Sequence, residues 1–189
     1  QLTVRESQLA LFVNEGQLAD MFSPGLHTLN TRTLPVLTNL KNWDKLFASP
    51  FKSDVYFYST REQIDQRWGT PNPIVFSDKD FGAIRLRAHG SYSYRIKDAK
   101  AFHKSISGTK EVYTAPELEG QLRATILTSM ASFFGSSQVA FLDMAANQTH
   151  FSNTLKEALL KPFAAYGLEL ATFYVQSISL PEELQAPLD

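Results

Sequence analysis

Several features are missing from this sequence of 189 residues, and each absence excludes a class of protein. There is no cysteine, which excludes disulfides, thiolate catalysis and cysteine-ligated zinc within these residues and fits a reducing compartment. No apolar run approaches the roughly 20 residues that a membrane-spanning helix needs, and the first residues are polar and unlike a signal peptide. Glycine-rich phosphate loops and nucleophile-elbow patterns are also absent.

A strong net charge is missing as well. Lysine and arginine number 18 and aspartate and glutamate 19, so the net charge is -1 and no global field gathers or repels nucleic acid. Any contact with a polyanion therefore has to be local. The hydrophobic fraction of 43% and the charged fraction of 20% are those of an ordinary globular protein, and this length predicts one domain or two small, closely packed lobes.

The first half of the chain predicts β-structure. Apolar residues alternate from Gln8 to Val13, and Gly16 is suited to the turn of a β-hairpin. A short strand over residues 55–58 and a second hairpin with its turn at residues 77–82 follow. Residues 35–51 show no regular pattern.

The strand that returns from the second hairpin is the clearest periodic signal in the chain. Its residues alternate between an apolar face that packs and a polar face that stays in water. The packed face comprises Ile84, Leu86, Ala88, Gly90, Tyr92, Tyr94 and Ile96, and the wet face comprises Arg85, Arg87, His89, Ser91, Ser93 and Arg95.

The second half predicts helices. Asp98 can cap a short helix that ends near Ser107, and Thr114 and Glu117 have capping-box spacing ahead of a longer helix. The longer helix carries a stripe at every fourth residue, which indicates that it lies on a sheet. That stripe is Leu118, Leu122, Ile126, Met130 and Phe134.

The last helix pattern carries Phe151, Leu155, Leu159, Phe163 and Tyr166, and the proline inside it, Pro162, predicts a kink or a break. Gly167 can take the left-handed conformation that ends this helix. An apolar strand follows up to Pro181, and its alternation changes phase, so it is covered on both faces or carries bulges. A β-rich first half, a helical second half and a closing strand predict an α+β fold with a mixed sheet.

Several of these pieces, in this order, resemble the stomatin/prohibitin/flotillin family, called the SPFH or band 7 domain. They are the opening hairpin with its turn at Gly16, Ser23 to His27, Arg87 to Asp98, Leu118 to Leu127 with Arg123, and Tyr166 to Pro181. The segments Asp54 to Phe57 and Trp68 to Pro71 resemble a bacterial subgroup of virion-core-like proteins, in which a small zinc-binding tail can follow. Such a tail would lie beyond Asp189.

The resemblance implies a single SPFH-like domain over residues 1–189, with a β-rich lobe at 1–82 and an α/β lobe at 83–189. It also implies a non-enzymatic scaffold that forms homo-oligomers and organises a protein or lipid assembly at the cytoplasmic face of the cell membrane. A soluble adaptor that holds one protein partner, such as a membrane-stress or protease-regulating complex, is the alternative. A hydrolase with an unrecognised site is kept as a third hypothesis because a fold does not dictate a function.

The remaining candidates for chemistry have ordinary structural interpretations. His27 and His103 are predicted to be surface residues, because no histidine here has metal-ligand spacing with other ligands. Asp78 and Asp80 lie in a predicted turn, where aspartate is favoured for local hydrogen bonds. We therefore expect no catalytic, cofactor-binding or metal-binding residues, no cofactor, no small-molecule substrate and no nucleic-acid partner.

The best candidate for a contact site is the cationic side of the alternating strand. Arg85, Arg87, His89 and Arg95 lie there, and alternate strand residues are roughly 7 Å apart, which suits anionic lipid headgroups or an acidic membrane-associated protein. The simpler interpretation is an ordinary wet face whose arginines pair with nearby carboxylates. Tyr92 and Tyr94 point the other way and are predicted to be core residues.

Overall fold

The structure is a computed structural model, and it describes residues 1–14, 17–28, 53–78, 82–107, 112–136 and 146–179. Within these residues the strands are β1 (Leu2–Val4), β2 (Gln8–Asn14), β3 (Gln17–Phe22), β4 (Gly25–His27), β5 (Ser53–Ser59), β6 (Gln63–Gly69), β7 (Ile74–Asp78), β8 (Gly82–Ile96) and β9 (Leu168–Ser179). The helices are α1 (Ala99–Phe102), which continues into a π-helical turn (His103–Ser107), α2 (Ala115–Ser136) and α3 (Gln148–Ala165). The predicted turn at Gly16 and the irregular segment 35–51 lie outside the described residues.

This element order confirms the predicted α+β class. Strands dominate the first half, helices pack in the second half, and β9 closes the chain. All strand pairs with an assigned register are antiparallel.

The chain divides into two compact units. The first unit contains Gln1–Arg61, Arg95–Glu111 and Tyr166–Leu168, and the second contains Glu62–Tyr94, Val112–Ala165 and Glu169–Asp189. The chain thus passes between the units more than once. The lobe boundary expected at residue 82 stays a prediction.

In the first unit, β2 is the central strand of a sheet with the order β3-β2-β5. Every residue from Ala10 to Val13 is buried, so β2 is covered on both faces. On one side, Val4 of the β1–β4 pair packs with Ala10, Phe12 and Phe22. On the other side, Phe102 of α1 meets the ring of Tyr58 on β5 edge to face at 5.6 Å.

In the second unit, the long strand β8 organises the sheet. β7 pairs with Gly82–Leu86 of β8, β6 pairs with its stretch from His89 to Tyr94, and β9 also pairs with β8. One face of this sheet is covered by helices, and Phe76 of β7 stacks on Phe134 of α2 at 4.7 Å. The predicted alternation of β8 is observed from Ile84 to Tyr92, and all three arginines are exposed. The prediction that Ser93 lies on the wet face is wrong, since Ser93 is buried, and Ile96 is only half-buried.

Both predicted helix stripes are buried except at Tyr166, which lies beyond the end of α3 and is half-buried. Leu118, Leu122, Ile126, Met130 and Phe134 of α2 and Phe151, Leu155, Leu159 and Phe163 of α3 all lie in the core. Helix α3 continues through Pro162 without a break, since it runs to Ala165.

The predicted helix ends are also found. Asp98 accepts hydrogen bonds from the backbone N–H groups of Lys100 and Ala101, and Glu117 Oε2 accepts one from Thr114 N at 2.8 Å. Gly167 has φ +77°, and a Cβ there would lie 2.2 Å from the carbonyl oxygen of Asp98. Only glycine satisfies both the backbone conformation and the close approach.

Candidate functional site

The wet face of β8 is the strongest candidate for a site. Arg85, Arg87 and His89 are exposed, while Leu86 and Ala88 between them are buried in the second unit. A strand alternates its side chains strictly, so packing of the apolar set on α2 and α3 holds the cationic set toward solvent. The predicted placement of these three residues on one wet face is therefore observed.

Strand β6 adds a cation that sequence reasoning missed. Arg67 is exposed and lies opposite Ser91 of β8, and directly opposed residues share a face of the sheet. It is diagonal to His89, a relation that puts their Cβ atoms roughly 7–8 Å apart. We call Arg67, Arg85, Arg87 and His89 the cationic sheet face. The sequence of β6 contains no signal for this grouping, because only the β6–β8 register creates it.

Two nonpolar side chains border the cationic sheet face. Val75 of β7 lies opposite Arg85 and is 63% exposed. Tyr174 of β9 is 53% exposed, and its position on the same face follows from Gln176, two residues later, which donates to Ser91 Oγ at 3.3 Å. The surface is therefore a mixture of cations with one aliphatic and one aromatic group.

Arg95 is the fourth residue predicted for this contact face, and its membership stays a prediction. It is exposed on the same strand, but it belongs to the first unit and has an interaction of its own. It lies six positions after His89 in the sequence, with five residues between them. Between them, Ser93 is buried and bonds to Glu62 Oε1 at 2.9 Å and to Thr172 Oγ1 at 2.7 Å.

Within the described residues, the arginines of the cationic sheet face have no acidic partner. Among the residues that the structure describes, no carboxylate pairs with Arg67, Arg85 or Arg87, whereas Glu62 is engaged at Ser93. Unpaired guanidinium groups can bind carboxylates or phosphates with two parallel hydrogen bonds. The ordinary interpretation, in which acidic neighbours pair with these arginines, stays an alternative, because Asp80 of the predicted turn lies outside the described residues.

On the opposite side of the sheet, residues of β6, β8 and β9 are in close contact at Gly90. The indole of Trp68 crosses β8 there, donates from Nε1 to the carbonyl oxygen of Tyr174 at 3.1 Å and stacks on Phe173 at 5.4 Å. A Cβ at Gly90 would lie 1.9 Å from that carbonyl oxygen, so the crossing requires glycine. The alternation of buried residues along β9 shifts by one position next to this contact: Leu168 and Leu170 are buried before the shift, and Phe173 and Val175 are buried after it. This arrangement holds β6, β8 and β9 in fixed register.

The prediction that His103 lies on the surface is wrong. The imidazole is 8% exposed, and its Nδ1 lies 2.6 Å from the hydroxyl of Tyr58, which also lies 3.1 Å from Ser107 Oγ. Burial lowers the pKa of His103 and raises that of Tyr58. The π-helical turn rotates His103 inward, and no local signal in the sequence announces that turn. This group is a structural hydrogen-bond network rather than an open site.

Tyr92 and Tyr94 are buried, as predicted, and their rings stack at 5.9 Å. Their hydroxyl groups have no hydrogen-bond partner among the described residues. Burial is the largest cause that raises both pKa values, that of Tyr94 to about 12, and nearby Glu119 raises them further. These hydroxyls are therefore protonated at neutral pH.

The other candidate groups do not converge. His27 Nε2 bonds to the carbonyl oxygen of Ser23 at 2.7 Å, and Asp78 is buried at the end of β7, opposite Gly82. Asp80 lies outside the described residues. In the part of the chain that the structure describes, no three His, Asp or Glu side chains are arranged to hold a metal ion. No described helix combines the length and the apolar character that crossing a bilayer requires.

Comparisons with known proteins agree with this architecture. The protein YdjI of Bacillus subtilis (strain 168), itself described as uncharacterized, is 23% identical over 187 residues, which cover 98% of this chain. The chain spans 58% of the length of that relative. A family profile described as "SPFH domain-Band 7 family" matches residues 1–189. The chain therefore belongs to the SPFH domain-Band 7 family.

Proposed function

We propose that this chain is a non-enzymatic scaffold domain that self-associates and organises a protein or lipid assembly at the cytoplasmic face of a membrane. Membership of the SPFH family supports a scaffold-like, membrane-associated role at a coarse level. The family is generally one of scaffolds rather than enzymes. The narrower bacterial virion-core-like subgroup stays a prediction.

The observation that carries the proposal is the exposed charge on β8. Arg85, Arg87 and His89 project from a strand whose other face is buried, so their backbone positions do not have to be ordered on binding. Each arginine close to an anionic membrane contributes about 1 kcal/mol of attraction. We assign the contact to this group and leave Arg95 outside it, because Arg95 has its own interaction and lies farther along the strand.

Self-association requires a surface, and one edge of the second sheet is an unfavourable choice. The hydroxyl of Ser152 on α3 accepts from Val175 N at 2.9 Å, and Lys156 Nζ donates to Ala171 O at 2.9 Å. These side chains satisfy backbone groups of β9 that an added strand would otherwise pair with. We therefore place the contacts between copies on other surfaces.

Co-sedimentation with liposomes, together with light scattering of the free protein, tests the proposal. We expect binding to anionic but not to neutral vesicles, which weakens as salt rises because exposed charges are screened. The double variant Arg85→Glu/Arg87→Glu should bind at least about thirtyfold more weakly at low salt. Light scattering should give a mass above that of one chain.

A matched control separates this site from net charge. Lys104→Glu/Lys161→Glu makes the same charge change at exposed positions outside the cationic sheet face and should bind like the wild type. Equal losses in both double variants would contradict the site. No binding to either vesicle, combined with capture of one protein partner in stoichiometric amount, would support the adaptor hypothesis instead.

A further inference from the structure

The cationic sheet face carries more than charge. Val75 and Tyr174 are among the most exposed large nonpolar side chains of the described residues, at 63% and 53%, and both border the arginines on the same face. Their position beside exposed arginines suits a partner that is anionic and also accepts nonpolar side chains.

The geometry sets these groups on one surface across the four strands β6, β7, β8 and β9. Val75 is directly opposite Arg85, where cross-strand Cβ atoms are roughly 4.5–5.5 Å apart. Tyr174 lies on β9, which pairs with β8 on the side away from β6, and strands are about 4.8 Å apart. The hydrogen bond from Trp68 to the carbonyl oxygen of Tyr174 fixes the backbone beneath that tyrosine. The nonpolar and cationic groups therefore reach a partner together.

We propose that this surface, formed by the cationic sheet face with Val75 and Tyr174, seats on the headgroup region of an anionic lipid bilayer, with Val75 and Tyr174 entering the boundary between headgroups and acyl chains. The inference rests on the proposed function and deepens it by naming the ligand and the mode of contact. Arginine binds lipid phosphates, and tyrosine suits an interface with one wet and one apolar side.

Other occupants fit these groups less well. A second copy that used the same surface around a two-fold axis would bring arginines close to arginines, which repel. A soluble acidic peptide would satisfy Arg67, Arg85 and Arg87, but it would leave the nonpolar groups in water. An anionic bilayer satisfies both sets.

The absence of cysteine allows a direct test, because a single introduced thiol can be labelled without background. Val75→Cys, Tyr174→Cys and the control Leu160→Cys, at a 45% exposed position on α3, would each carry a dye whose emission shifts to the blue in an apolar environment. With anionic vesicles, we expect a blue shift at positions 75 and 174 and none at 160. Far-UV circular dichroism and a thermal melt check the fold of each variant.

A second measurement uses unlabelled protein and salt. Val75→Ser/Tyr174→Ser should bind anionic vesicles on the order of tenfold more weakly than the wild type at high salt, where the electrostatic contribution is screened. Leu160→Ser should bind like the wild type. Arg67→Glu should weaken binding at low salt, whereas the nonpolar double variant should retain its salt-sensitive part.

The outcomes separate this inference from the proposed function. Two outcomes overturn the inference and leave the scaffold proposal standing. In the first, the protein binds vesicles but the dye at positions 75 and 174 shows no blue shift. In the second, high salt abolishes binding and the serine variants bind as tightly as the wild type. A dye shift with polyglutamate in the absence of lipid, at either position, also overturns it and indicates an acidic protein partner. No binding to any vesicle overturns the inference and removes the support for the membrane-binding part of the proposed function.

Discussion

The two central strands, β2 in the first unit and β8 in the second, have different environments although both sequences alternate. From Ala10 to Val13, β2 is buried at every position, with the β1–β4 pair on one face and α1 with its π-helical turn on the other. β8 is buried only at alternate positions over most of its length, since helices cover one face and the other stays wet. The difference shows that a strand serves as core or as surface according to what packs on its second face.

The comparison of β2 with β8 also indicates which strand faces can bind a partner. A face that is covered contributes free energy of folding, whereas an uncovered face of a rigid strand can present charge at fixed spacing. The cationic sheet face belongs to the second kind. The following predictions test that division, from the largest expected effect to the smallest.

The largest effect is expected in the doubly covered strand. Phe12→Ala removes a fully buried ring from β2 and should lower the free energy of unfolding by about 3–5 kcal/mol. Arg87→Ala on the open face of β8 should change it by no more than about 0.5 kcal/mol. Urea unfolding followed by circular dichroism measures both values. Similar losses in the two variants would contradict the distinction between the strands.

A smaller but specific loss is expected at the strand crossing behind the cationic sheet face. Gly90→Ala places a Cβ against the carbonyl oxygen of Tyr174 and the indole of Trp68, and should destabilise the protein by about 1–3 kcal/mol. Gly120→Ala is the matched control, because nothing lies within 4 Å of a Cβ there and alanine favours helix α2 by roughly 0.5–1 kcal/mol. Differential scanning calorimetry should show a lower melting temperature for Gly90→Ala and a higher one for Gly120→Ala, which would support the close contact of Trp68 and Tyr174 with Gly90. An unchanged melting temperature in Gly90→Ala would contradict that close contact.

The buried His103 of the first unit predicts a pH dependence that an exposed histidine does not. Burial lowers the pKa of His103 in the folded state below the ordinary value of 6.5. At pH values between the folded-state pKa and 6.5, His103 is therefore protonated in the unfolded chain but not in the folded chain. Stability is therefore complete above pH 6.5 and falls as the pH drops below it, by at most about 1.4 kcal/mol per pH unit. Urea unfolding from pH 8 to 5.5 should show this slope in the wild type.

Two variants isolate the histidine responsible. His103→Gln keeps an acceptor for the Tyr58 hydroxyl and should reduce the slope, whereas His150→Gln, at an exposed position on α3, should leave it unchanged. An unaltered slope in His103→Gln would assign the pH dependence to other groups.

The smallest effect concerns the tyrosine hydroxyls of β8. Because Tyr92 and Tyr94 bury hydroxyls without a partner among the described residues, Tyr92→Phe and Tyr94→Phe should be neutral or stabilising by up to about 1 kcal/mol. The control Tyr58→Phe removes a hydroxyl that is bonded to His103 and Ser107 and should be destabilising. Chemical denaturation of the three variants compares them. A loss above 1 kcal/mol at Tyr92 or Tyr94 would mean that the hydroxyl is hydrogen-bonded after all.

Features that depend on a few neighbouring residues were predictable from sequence. The caps at Asp98 and Thr114, the α2 stripe and the left-handed Gly167 all appear in the structure. The alternation of β8 was equally predictable, and with it the exposed positions of Arg85, Arg87 and His89. A helix cap spans three or four residues and a strand repeats every two, so local chemistry is sufficient for each.

The sequence alone therefore determined the α+β class, the family, the order of the elements and the wet cationic side of β8. Tertiary structure decided that Arg67, Val75 and Tyr174 join that side, that His103 is buried and that the indole of Trp68 packs against Gly90. These outcomes depend on register between strands distant in sequence and on which faces receive a cover. A local sequence pattern is compatible with several strand registers and with packing on either face of a strand. Contacts between residues distant in sequence select one of these arrangements when the chain folds.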